Sequence, residues 1–142
     1  MTREHLENLA RVGELKPEAT SQTEFEGLVR SALVRLKDAE SGRLSLESRF
    51  DLAYNAAHAL SLAALRWHGY RSRKRYLVFQ CLKHTVGLLD AHWRVLDQAH
   101  RKRNLAEYEG ELDLNDELVA ALVRITREVA ERVSDLATPS SS

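Results

Sequence analysis

One stretch of this chain brings a fixed cation, an amide and a titratable phenol close together: Arg101-Lys102-Arg103-Asn104-Leu105-Ala106-Glu107-Tyr108. Arginine offers planar donors that suit phosphate, asparagine both donates and accepts, and tyrosine can hold a proton or stack on a base. His100 stands just before it and adds a group that titrates near neutrality. The stretch reads as a polar connection between two apolar-periodic helices, where a rigid scaffold usually presents its working groups. Arg101, Lys102 and Arg103 are the expected binding cations, and Arg103, Asn104, Tyr108 and His100 the expected catalytic set.

Other chemistries find less support. A second basic run, Arg71, Arg73, Lys74 and Arg75, reads first as solvated side chains at a helix end. The six histidines include His84, His92 and His100, spaced by eight. That interval precesses around a helix, whereas chelation uses the four-residue interval, so no metal site is expected. Asp97-Gln98-Ala99-His100 is one isolated approach to a di-iron motif that needs two. Cys81, between Phe79 and Leu82 in sequence, reads as a small buried hydrophobe. With neither a phosphate-cradling glycine loop nor a dinucleotide fingerprint, no cofactor is expected.

The elements that must position these groups are helical. Ser21-Gln22-Thr23-Glu24 has the form of a capping box, and Phe25, Leu28, Val29, Ala32, Leu33 and Leu36 follow as one apolar stripe, predicting a helix from Thr23 to Asp38. An alanine-rich helix is predicted from Leu46 to His68, closed by Gly69. Residues 73–103 form either one long helix or two that break near Gly87, and the break is favoured because the single helix would overrun a bundle of this size. Asn115 or Asp113 caps a last helix running through Leu118, Leu122, Ile125, Val129 and Val133. The fold class expected is all-α, an up-and-down bundle of four or five helices. It divides into residues 1–20 as an arm or short helix, 21–137 as one domain, and 138–142 as a disordered tail.

Composition narrows the partners. The 21 basic residues cancel the 21 acidic ones, so no global field draws the chain to nucleic acid or membrane, and a basic surface must be local. The single cysteine fits a reducing compartment, the polar start is unlike a secretory signal, and no apolar run spans a bilayer. A soluble cytoplasmic protein is expected.

Arg103-Asn104-Leu105-Ala106-Glu107-Tyr108, preceded by Arg101-Lys102, resembles the Arg-Asn-x-x-x-His/Tyr signature of the HEPN superfamily. Residues 49–60 (RFDLAYNAAHAL), running on to Gly69-Tyr70-Arg71, are similar to its second helix. The resemblance covers roughly Leu46 to Val133. It implies a small helical bundle that forms a homodimer, in which paired motifs cut RNA without metal or, where the motif is incomplete, bind a partner. Such members occur in toxin–antitoxin pairs, some beside a minimal nucleotidyltransferase.

Arg103 then matches the motif arginine and Asn104 the polar residue after it, while Tyr108 stands where histidine is expected. An unperturbed phenol, with a pKa of about 10, is ionised to about one part in a thousand at neutral pH, so it makes a poor base. The leading expectation is therefore a nucleotide-, RNA- or partner-binding module. One alternative is a metal-independent endoribonuclease in which His100 replaces the missing base. The other is a structural adaptor whose exposed stripe, Trp93, Leu89 and Leu96, is an oligomer interface.

Overall fold

The computed structural model describes residues 2–110 and 113–137, leaving the expected tail at 138–142 outside. Four long helices carry the fold: α2 (Gln22–Ala39), α3 (Leu46–Trp67), α6 (Asp90–Glu109) and α7 (Asp116–Ala137). Around them lie α1 (Thr2–Arg11), α4 (Arg75–Gln80) and α5 (Leu82–Thr85). Arg49 at the start of α3 donates to the Ala39 carbonyl, and Phe25 near the start of α2 packs on Trp67 at the end of α3, so these two helices run antiparallel. His92 near the start of α6 reaches Glu128 on α7, and Lys102 near the end of α6 reaches Asp113 just before α7, so they too are antiparallel.

Helix α3 is the axis of the bundle. Ala53, Ala56, Ala57, Ala63 and Ala64 are fully buried, and their small side chains let α2 and α7 approach closely. Ser45 opens α3, its hydroxyl accepting from the Ser48 amide at 3.1 Å. Ser21 caps α2 in the same way through Glu24 N. The other half of that capping box is diverted: the Glu24 carboxylate binds Arg66 and Arg71. Asn115 is the cap of α7, Oδ1 accepting from Leu118 N at 2.8 Å.

The chain does break near Gly87. Helix α5 ends at Thr85, Gly87 takes φ 68°, a left-handed value that glycine adopts without strain, and α6 begins at Asp90. Arg132 from α7 donates to the Val86 carbonyl at 3.0 Å and so satisfies an acceptor that the break would orphan.

Two expectations are corrected. Residues 104–109 are not a connection between helices but the last turns of α6, because no breaker occurs before Gly110 and most of the residue types favour helix. Leu96 is 1% exposed, so it belongs to the core and not to a surface stripe with Leu89 and Trp93. The N-terminal segment contains the short helix α1, which docks against α5. Leu6 and Leu15 enter a second small core with Leu65, Leu77, Val78 and Cys81, while Lys16–Pro17 (β1) pairs antiparallel with Tyr70–Arg71 (β2).

Candidate functional site

Helix α6 delivers two of the singled-out residues, His100 and Arg103, onto one partner, Tyr54 of α3. Residues 96, 99, 100 and 103 share a face of α6, and Leu96 and Ala99 bury that face. At its edge His100 Nδ1 lies 3.0 Å from Tyr54 Oη, and the Arg103 guanidinium carbon sits 4.8 Å from the Tyr54 ring centroid. Tyr54 itself is 1% exposed, so the phenol is a fixed platform. Asn104, one turn after His100, places its amide nitrogen 3.1 Å from His100 Nε2. With that amide donating, Nε2 is the acceptor and Nδ1 carries the proton toward Tyr54 Oη.

Arg103 is steadied by Asp51, its Nη1 2.6 Å from Oδ1, and not by Glu107 one turn along its own helix. The neighbouring cations diverge. Arg101 Nη2 pairs with Asp97 at 3.1 Å, and Lys102 Nζ donates to the Asp113 carbonyl at 3.0 Å. Tyr108 stands apart, 89% exposed, with no hydrogen bond, ion pair or ring contact among the described residues. The structure therefore gathers Arg103, Asn104 and His100, and leaves Arg101, Lys102 and Tyr108 outside the cluster.

Sequence reading missed the other half of the site. Asp51, Tyr54 and His58 recur at i, i+3 and i+7 on α3, a polar edge on an otherwise alanine-rich helix, and that spacing was the available signal. From α4 come Arg75, whose guanidinium carbon lies 5.6 Å from the Tyr54 ring centroid, and Tyr76, whose ring is 6.2 Å from that of His100. Phe79 packs between the two imidazoles, 5.9 Å from His58 and 6.0 Å from His100.

Burial sets the electrostatics. It is the main force holding His58 down to about 4, with the Arg75 charge and then His100 adding to it. The pKa of His100 is lowered too, first by burial, then by Arg75 and Arg103, with Asp97 and Glu107 opposing. Near pH 7 both rings are neutral, and the His100 Nε2 lone pair points at an exposed amide that can be displaced.

The two sides of Arg103 differ in sign. On one lies a shallow cavity of about 260 Å³ lined by Glu47, Asp51 and Glu107 among others, which disfavours an anion. On the other side of the cluster stand His100, Arg75 and the half-exposed ring of Tyr76, which suit one, with the Asp97 carboxylate the opposing charge that reaches His100. No cluster of three or more histidine, cysteine or acidic side chains able to hold a metal ion occurs among the described residues. None of their helices is long and apolar enough to cross a membrane. Comparison with protein-family models, with curated proteins and with solved structures finds no match to this chain.

Proposed function

We propose that the face formed by α3, α4 and α6 binds single-stranded RNA or nucleotide phosphate, as the working surface of a HEPN-like module that functions as a homodimer. The observation that carries this reading is the convergence of Arg103 and His100 on one immobile ring, Tyr54, with Tyr76 exposed beside them. Arginine supplies the phosphate contact, and an exposed aromatic ring supplies a stacking surface indifferent to base identity. Zero net charge fits a local site in place of a general affinity for polyanions. Homodimerisation, and a partner such as an antitoxin or a minimal nucleotidyltransferase, enter through the motif resemblance alone.

A second reading, metal-independent endoribonuclease, is favoured by the lowered pKa of His100. In that reaction Nε2 takes the proton of a 2′-hydroxyl, and the oxygen attacks phosphorus. Arg103 steadies the phosphorane as the 5′-oxygen departs, protonated by solvent water, since Tyr108 stands outside the cluster. The two readings part in one assay: labelled oligoribonucleotide with the full chain in EDTA, beside Arg103→Ala and His100→Ala. The binding module retains intact RNA and loses it at least tenfold in Arg103→Ala. Cleavage that disappears in His100→Ala would establish the nuclease, and wild-type protein that neither binds nor cuts would sink both.

A further inference from the structure

We propose that Arg75 is a second phosphate anchor of this site, so that its ligand is a polynucleotide strand gripped at two phosphates and not a mononucleotide; this rests on the RNA reading above. Arg75 opens α4, a different element from the one that carries Arg103, and both guanidinium groups lie within 6 Å of the same Tyr54 ring centroid. Their surroundings differ in one respect. Arg103 has Asp51, Arg101 has Asp97, and Arg71 has Glu18 and Glu24. Arg75 has no carboxylate within ion-pair distance among the described residues, and its buried Nη1 has no hydrogen-bond partner.

A cation with a desolvated, unpaired corner is costly to hold, and such a group is explained when a counter-ion completes it. The fold holds it beside the two imidazoles, where its charge acts on both. A groove of mixed charge adjoins in sequence, its Lys74 paired with Glu14 and its Arg71 with Glu18. Arg73 and Lys74 precede Arg75, and with Lys16 and Arg71 they line this groove of about 410 Å³, which also contains Glu14 and Glu18. One phosphate can occupy one anchor. A strand reaching both gains the second contact at high effective concentration.

The test is fluorescence anisotropy with a labelled uridine hexaribonucleotide across a salt series, with uridine monophosphate as competitor. The proteins are wild type, Arg103→Ala, Arg75→Ala and Arg75→Gln, the last keeping length and polarity should the alanine variant fold poorly. Loss of Arg75 is expected to weaken hexamer binding at least tenfold and to lower the slope of log affinity against log salt by about 0.7, the value for one phosphate on a single strand. Monophosphate binding is expected to weaken much less than hexamer binding, because a single phosphate can still occupy the Arg103 anchor. Unchanged hexamer affinity and slope, with Arg103→Ala still defective, would overturn the second anchor and leave the RNA reading standing. Equal losses for hexamer and monophosphate would also overturn it, because Arg75 would then belong to a one-phosphate pocket. Wild-type protein that binds neither probe overturns both.

Discussion

His58 is the residue on which burial acts most visibly: it is held neutral down to about 4, well below the usual 6.5. Between those two values the unfolded chain binds more protons than the folded one, so acidification favours unfolding. The contribution is fully present above pH 6.5 and is lost as pH falls through 4, amounting to roughly 3 kcal/mol. Glu24 acts in the same direction at lower pH. Hydrogen bonds from Arg66 and then Arg71 lower its pKa, so its contribution is lost only as pH falls through that lowered value. His58→Gln is therefore expected to flatten the fall in stability between pH 6.5 and 4 while leaving the steeper decline below it. Thermal melts across that range check this, and an unchanged pH profile would mean that His58 titrates normally in the folded chain.

At the scale of elements, the junction between the N-terminal segment, α2 and the end of α3 depends on Arg66, which is 2% exposed. Its Nε lies 2.6 Å from Glu24 Oε1, and its other nitrogens donate to the carbonyls of Glu18 and Ala19. Arg66→Ala removes a buried cation and leaves those acceptors short of donors. The expected cost is roughly 3 kcal/mol, the low end for breaking a buried pair, because Glu18 and Glu24 keep some water and Arg71 still pairs with both. Arg3→Ala, which breaks an exposed i,i+4 pair with Glu7, should cost less than about 0.5 kcal/mol. Urea titrations of the two variants measure the contrast as a shift in midpoint at constant slope.

The same scale shows what the sequence could and could not convey. The spans of α2, α3 and α7 were legible because their caps and apolar periods are local signals, and the Gly87 break because glycine and bundle length both argued for it. The end of α6 was misread because a run of charged residues looks like a connection, although arginine, lysine, leucine, alanine and glutamate are all good helix formers. His100, Arg103 and Asn104 could be singled out as candidates from their types, and the structure brings them together. Asp51, Tyr54 and His58 showed in the sequence only as a polar edge on α3, and Arg75 only as part of a basic run, because what brings them to the cluster is the packing of α3 and α4 against α6. Lys16 and Pro17 pair with Arg71 and Tyr70 more than fifty residues away, beyond the reach of any local pattern.

For the molecule as a whole, two cores of unequal size share α3. The larger lies among the long helices, and the smaller forms where residues 6 and 15 close over Leu65, Leu77, Val78 and Cys81. Cys81 is the chain's one thiol, and burial raises its pKa to about 11. A thiol that is both covered and protonated reacts with an alkylating reagent only when its cover lifts. Labelling kinetics of the unmodified protein thus time the lifting of the N-terminal segment, with no introduced probe. Leu6→Ala, which thins the cover, should speed labelling at least tenfold while leaving the midpoint of global unfolding much less affected. Equal effects on both would mean that the segment and the bundle open as one unit. In that respect Cys81 is a built-in clock for the smaller core.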